Sequence, residues 1–292
     1  MDYAPDSRVA DLQLHSSASD GSDRPSRVVE RAAAIGLATI ALTDHDTMEG
    51  VPEAAAAASS LGIELIPACE LSTLDGERQV DVLAYGVAPD DAEFAVVLGR
   101  LRGGRMGRAW GMVQCLNQLG HHVSWQRVQE IAGGENIGRP HVARAMVEAG
   151  VVPDMKSAFT AEFIADGGRC YVQRVKITPA QAIASIHAAG GVAVAAHPGR
   201  TRLTDDDVDR LAGAGLDGLE VFYPRHRPAH TSRFERLAIE RGMLITGGSD
   251  DHGSINEGQL MGTIRLPYAY VDRLKAAIAQ RSAAVAATVG PR

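Results

Sequence analysis

The sequence predicts an α/β fold whose strands lead into one shared mouth, and three observations predict it. Short apolar runs recur at Val9 to Leu14, Thr39 to Leu42, Glu64 to Ala68, Val192 to Ala196 and Leu244 to Thr246. Each is rich in Val, Ile, Leu and Ala, the composition of strands buried on both faces. Helical stretches follow most of these runs, opening near Pro25, Pro52, Pro179 and Thr204, and several close at Gly36, Gly62 or Gly190. Proline just inside a helix start and glycine just past its end favour those boundaries. Seven residues able to bind metal stand just beyond the runs: His15, Asp20, His45, Glu70, His197, Asp250 and His252. In a (β/α) barrel the carboxyl ends of the strands converge, so ligands distant in sequence become neighbours.

Taken in order, the first run carries Asp11-Leu12-Gln13-Leu14-His15-Ser16, with Ser19-Asp20-Gly21 just after it. The two-residue period of a strand puts Gln13 and His15 on one face. The second run ends in Thr43-Asp44-His45-Asp46-Thr47, and the helix after it includes the good helix formers Ala54 to Ala58. The third ends in Cys69-Glu70-Leu71-Ser72. From about Leu101 to Arg174 the alternation stops: Met106 to Leu119 and His141 to Ala149 read as helices, with breaks at Gly103-Gly104, Gly133-Gly134 and Gly167-Gly168. Strand and helix resume at Pro179 and lead to Ala196-His197-Pro198 and Gly248-Ser249-Asp250-Asp251-His252-Gly253. The expected organisation is one barrel domain, residues 1–100 and 175–292, with a helical insert over 101–174 covering the mouth.

Composition bounds the function. At 292 residues, 45% hydrophobic and 22% charged, the chain has enough material for a full core. The net charge, 29 − 36 = −7, disfavours a broad surface for duplex nucleic acid. No run of about 18 apolar residues occurs, and Met-Asp-Tyr-Ala-Pro-Asp does not resemble an export leader, so the expectation is a cytoplasmic protein with no membrane role. Cys69, Cys115 and Cys170 lack CxxC spacing, which argues against a disulfide framework or thiolate zinc and for buried small hydrophobes. Nothing in the sequence suggests a protein partner.

Carboxylates with neutral imidazoles suit Mn²⁺, Zn²⁺ or Fe²⁺. A carboxylate such as Glu70 can bridge two ions, and hydroxide held there is a nucleophile at neutral pH. The flanking carboxylates Asp44, Asp46 and Asp251 are expected to orient imidazoles. Arg100, Arg102, Arg105 and Arg108 do not share a helix face in this reading and are expected to be mostly surface charge. Trp110 and Trp125 read as core residues, and His121, His122, His187, His226 and His230 as helix or loop residues.

These motifs, over nearly the whole chain, resemble those of the polymerase and histidinol phosphatase (PHP) family. The resemblance implies a distorted seven-stranded barrel of PHP type with two or three divalent ions, Mn²⁺ first and Zn²⁺ or Fe²⁺ as alternatives. It places His15, Glu70 and Asp250 at a first ion, Glu70 and His197 at a second, and Asp20, His45 and His252 at a third. Gln13 stands where the family usually has the first histidine of its HxH motif, and Asp81 where many members have another, so only the third set is complete.

Gly138-Arg139-Pro140-His141 is similar to the GRPH motif of a branch acting on nucleoside 3′,5′-bisphosphates and short RNA 5′ ends. Arginine beside a helix start is suited to gripping phosphate. The resemblance implies hydrolysis of the 3′-phosphate of a nucleoside 3′,5′-bisphosphate by metal-activated hydroxide, with Arg139 and His141 of that motif binding substrate. His197 and Asp250 are expected to be catalytic, Arg200 and Arg225, which follow strand ends near the mouth, to contact substrate, and Glu220 to contact substrate or to support a metal ligand. The substrate would be a small nucleotide bisphosphate or a short oligoribonucleotide. Alternatives are a 5′ to 3′ exoribonuclease, a histidinol-phosphate phosphatase and a non-catalytic nucleotide-binding module.

Overall fold

The computed structural model describes residues 8–134, 136–173, 177–255 and 260–289. β1 (Val9–Leu14), α1 (Pro25–Ala34), β2 (Thr39–Leu42) and α2 (Val51–Leu61) lead into β3 (Glu64–Asp75) and β4 (Arg78–Tyr85). α3 (Ala92–Gln118), α4 (Trp125–Ala132), α5 (Arg139–Glu148) and α6 (Met155–Ala158) follow without an intervening strand. Alternation returns with α7 (Pro179–Ala188), β5 (Val192–Ala195), α8 (Asp205–Gly213), β6 (Gly218–Phe222), α9 (Pro228–Glu240) and β7 (Leu244–Gly247), then β8 (Leu266–Pro267) and α10 (Tyr268–Val289). The expected domain boundary at 174/175 lies outside the described residues.

The strands form one sheet in the order β7-β6-β5-β4-β3-β2-β1-β8. Its edges meet beyond β1 and β7: the Asp250 N–H donates to the Gln13 carbonyl (2.9 Å) and the His15 N–H to the Asp251 carbonyl (3.0 Å). The barrel is therefore nearly closed. Gly248 permits the closure, because a Cβ there would lie 2.4 Å from Cβ and N of Gln13.

Two expectations need correction. The described sheet has eight strands rather than seven, the eighth being the two-residue β8, antiparallel to β1. β4 also runs against both neighbours, paired as Ala68↔Tyr85 to Asp75↔Arg78 with β3 and as Val82↔Ala195 with β5. Only Gly76 and Glu77 separate β3 from β4, a connection too short for a parallel crossover.

The helix boundaries follow their local chemistry. Proline stands in the first turn of α1, α2 and α7. Thr178 and Thr204 cap α7 and α8 in reciprocal boxes with Gln181 and Asp207. Gly62 closes α2 with φ 67°. The break expected at Gly103-Gly104 is absent: both glycines lie inside the 27-residue α3. Helix packing overrides their propensity here, since Leu98, Leu101, Ala109, Met112, Val113 and Leu116 are all buried along that helix.

α3 to α6 enclose their own apolar cluster, built on Met112, Val113, Leu116, Val128, Val142, Met146, Phe163 and Ile164. Burial at about 1.5–3 kcal/mol per fully buried large side chain makes this cluster a main contribution to ordering these helices. Cys115 and Cys170 join there in a disulfide, with Cα atoms 5.4 Å apart, so the expectation of three separate buried thiols is corrected. α3 packs against the chain following α6, which makes neighbours of residues 55 positions apart. Cys69 is buried and free, as expected.

Candidate metal centre

The mouth collects residues that follow β1, β2, β5 and β7 together with Glu70 and Asp81 from within β3 and β4; β3 runs on to Asp75, past the run expected to end before Glu70. Along β1, Gln13 and His15 face the same way: Gln13 Nε2 donates to Glu70 Oε2 (3.1 Å), and His15 Nε2 lies 3.3 Å from both Glu70 Oε2 and Asp250 Oδ1. His45 Nδ1 is 3.6 Å from Glu70 Oε2, and its Nε2 is 3.9 Å from Asp20 Oδ2. His252 Nε2 is 3.4 Å from Asp20 Oδ1, and its ring stacks on His15 at 4.1 Å. Glu70 turns its other oxygen to His197 Nε2, 3.0 Å away.

Three ligand sets result, each with donor atoms within 4.8 Å of one another: His15, Asp20, His45 and His252; His15, Glu70 and Asp250; and Glu70, Asp81 and His197. All seven expected ligands fall within them. Asp81, identified in sequence only as standing in for a histidine, completes the second set from β4.

The donor set fits divalent ions. His15 Nδ1, His45 Nδ1, His197 Nδ1 and Asp81 Oδ1 are buried without a hydrogen-bond partner. Orphaned polar atoms of that density would be costly unless something else satisfied them. Glu70 serves two sets through different oxygens, the geometry of a bridging carboxylate. Oxygen and imidazole donors without thiolate match Mn²⁺, Fe²⁺ or Zn²⁺ chemistry.

Backbone strain is concentrated here. His197 (φ 32°), Asp250 (φ 54°) and Asp46 (φ 56°) adopt left-handed conformations that non-glycine residues rarely take, at roughly 1–3 kcal/mol each. Supporting bonds hold them: Glu220 accepts from the His197 N–H (2.8 Å), and Tyr223 Oη donates to Asp250 Oδ2 (3.0 Å). Gly21 lets the Asp20 turn fold onto His15, because a Cβ there would lie 2.7 Å from the His15 carbonyl oxygen.

The electrostatics of the metal-free site are strongly coupled. Burial opposes charge on His15, but the Asp250 and Glu70 carboxylates outweigh it and hold its pKa well above the usual imidazole range. Burial likewise opposes ionised Glu70, yet His45, His15 and His197 hold it well below the usual carboxylate range. Glu220 is pushed well above that range by burial with nearby carboxylates, and Asp11, buried beneath the site, is raised to about 7 by desolvation.

Several expected roles are corrected. Asp44, Asp46 and Asp251 hold backbone and cations instead of the imidazoles. Asp44 accepts from the Ser16 N–H, the Ser16 hydroxyl and the Ser19 hydroxyl (2.6–2.7 Å), shaping the turn that presents Asp20. Asp46 accepts from Arg105 Nε (2.5 Å) and the Ser72 N–H. Asp251 accepts from Arg31 and the Gly253, Leu260 and Met261 N–H groups. Arg105 is buried rather than surface charge, and Arg102 reaches the Asp46 carbonyl. A spacing of three places residues 102, 105 and 108 within roughly 120° of a helix circumference, while Arg100 falls outside that arc, so the four do not share one face.

The mouth opens into a cavity of about 550 Å³. Its floor includes Asp20, His45, Glu70, Asp81, His197, Asp250 and His252, and Arg200 and Arg225 line it beside them, with Arg200 3.8 Å from Asp250. Arg105, Arg108, Arg139 and Lys156 come from the α3–α6 helices. Arg139 pairs with Asp166, which is itself 74% exposed. Two residues expected to touch substrate are placed elsewhere. Glu220 is fully buried beneath His197, and His141 caps its own helix by accepting from the Gly138 N–H (3.0 Å). Trp110 and Trp125 pack edge to face, outside the cavity lining.

Comparisons with known proteins agree with this geometry. A family model for the PHP domain matches residues 11–122. The chain is 35% identical over 257 residues to the 3′,5′-nucleoside bisphosphate phosphatase of Chromobacterium violaceum, covering 86% of this chain and 90% of that one. It is 33% identical over 246 residues to a 5′-3′ exoribonuclease of Haemophilus influenzae, covering 83% and 89%. A solved structure from Bifidobacterium adolescentis, put forward as a metal-dependent phosphoesterase, superposes with a TM-score of 0.86 at 32% identity over 94% of this chain and 98% of that one.

Proposed function

The chain belongs to the PHP domain family and is a metal-dependent phosphoesterase, and from that premise we propose that it removes the 3′-phosphate of nucleoside 3′,5′-bisphosphates. The observation that carries this reading is the pairing, within one cavity, of a metal-ligand floor with a cationic wall formed by Arg108, Arg139 and Lys156. Two separate anion-binding regions suit a substrate with two phosphates. In this reading α3 to α6 act as a cap subdomain whose task is to supply the second region.

His15, Asp20, His45, Glu70, Asp81, His197, Asp250 and His252 would hold two or three divalent ions, Mn²⁺ in the first instance. When bound, such ions supply water activation and neutralisation of phosphoryl charge. Arg200 and Arg225 reach the reacting phosphoryl oxygens from the rim, where donors placed for developing charge stabilise the transition state. Glu220 and Tyr223 fix the His197 peptide and one Asp250 oxygen, so both catalytic-floor residues are presented without reorganisation. Arg139 and Lys156 take the 5′-phosphate, and that remote binding energy positions the 3′ ester.

The test is phosphate release, with Mn²⁺ added, from adenosine 3′,5′-bisphosphate, p-nitrophenyl phosphate, histidinol phosphate and a short 5′-phosphorylated oligoribonucleotide. The expected kcat/KM for the bisphosphate exceeds that for the simple monoester by about 100-fold or more. Faster cleavage of the oligonucleotide diester would assign the site to exoribonuclease chemistry instead.

A further inference from the structure

Most of the cavity lining is charged or polar, and its apolar side chains are confined to one place. Pro140, Met155 and Phe159 form that patch, on α5 and at α6. The remaining lining side chains, among them Gln79, Arg200 and Arg225, are polar or charged. Phe159 ends α6 and is 38% exposed, more than any other phenylalanine among the described residues. Its ring does not belong to the apolar cluster of α3 to α6, although Met155 beside it packs against that cluster. What distinguishes this ring from other exposed apolar side chains is its place: Phe159 lines the same cavity as the candidate metal ligands, beside Met155 and Lys156.

We propose that Phe159, backed by Met155 and Pro140, is the nucleobase platform of this site. The proposal rests on the nucleotide reading above and adds to it where the base sits. Arg139 lies 5.8 Å from the Phe159 ring centroid, a cation–π contact that groups the phosphate anchor and the platform on one wall. Lys156 lines the same wall. A nucleotide whose 5′-phosphate meets Arg139 and Lys156 thus brings its base to the part of the lining able to desolvate a flat apolar face. Its 3′-phosphate then points to the metal floor. Aromatic stacking accepts any base, because every base presents a π-face. The platform selects nucleosides over other bisphosphates and discriminates little among bases.

Two measurements test this. The first compares kcat/KM for adenosine 3′,5′-bisphosphate with that for methyl riboside 3,5-bisphosphate, which lacks the base. Phe159→Ala should lower the ratio of the two by about 10- to 100-fold, chiefly through KM, and Phe159→Tyr should restore it. An unchanged ratio, with both substrates losing equally or neither losing, overturns the proposal. The second needs no turnover: Phe159→Trp is titrated with adenosine 5′-monophosphate and with ribose 5-phosphate in the presence of Mn²⁺. Saturable quenching of the new tryptophan by the nucleotide alone is expected, and identical responses to both would refute the platform. If the wild-type protein releases no phosphate from the bisphosphate while the nucleotide still quenches, the functional reading falls and the base site stands.

Discussion

Arg139→Ala separates the second anion region from the metal floor. In the substrate-free protein, Arg139 is tied to Asp166 at 2.9 Å, but that carboxylate is 74% exposed. An ion pair so open to water contributes about 0–1 kcal/mol, so its loss should leave folding nearly unchanged. A phosphate bound by the same guanidinium replaces that pair with one or two charge-assisted hydrogen bonds, at roughly 1.5–3 kcal/mol each. Truncation should therefore reduce kcat/KM for adenosine 3′,5′-bisphosphate by about 10- to 1,000-fold. The loss on p-nitrophenyl phosphate, which has no second phosphate, should be much smaller. Thermal unfolding of the variant, followed alongside steady-state kinetics, separates a binding defect from a folding one. Equal losses on both substrates would place Arg139 at the reacting phosphoryl group, and no loss on either would reduce it to a surface residue at a helix start.

His45→Ala or His252→Ala should each cost at least one equivalent of bound Mn²⁺ and nearly all turnover, because both imidazoles share a set with Asp20; full metal content with normal rates would dismiss that assignment. Gln13→His should tighten the weakest Mn²⁺ site by about 10- to 100-fold, since the Gln13 amide now donates to the oxygen of Glu70 that also faces His15 and His45; an unchanged metal-binding isotherm would exclude this position from ion control. Metal binding should also release protons. The Asp250 and Glu70 carboxylates outweigh burial and hold the His15 pKa above the usual imidazole range, which favours the protonated ring, whereas an ion takes only the neutral ring. Affinity should accordingly fall as pH falls, and calorimetric titrations in buffers of different ionisation enthalpy count the protons. An enthalpy independent of buffer would contradict the coupling.

What was readable in the sequence, and what was not, divides along the range of the interactions involved. Most of the candidate ligands were readable because they stand just past short apolar runs, as His15, His45, His197 and Asp250 do, where a carboxylate or imidazole has few structural uses; Glu70 lies inside β3, which runs on to Asp75 beyond the run seen in the sequence. The direction of β4 is also written locally, in Asp75-Gly76 flanked by strand-forming residues, a hairpin signal of which the expected organisation makes no use. The Cys115–Cys170 bond had no such local mark, since it depends on α3 packing against a segment that follows three further helices. Arg105 and Asp46 show the same limit from the side of electrostatics. Each looks like surface charge or a ligand's neighbour until α3 crosses the mouth; the pair is then buried, with Arg105 bonding Ser72 as well. That pair, with Asp46 buried and the Arg105 side chain 11% exposed, ties α3, which contributes Arg108 to the cationic wall, to the β2–α2 loop that presents His45. Asn136, just before α5, strengthens the link by donating to the His45 carbonyl. The two regions proposed to bind phosphate are thus linked through backbone and charge, an arrangement that suits simultaneous engagement of two phosphates.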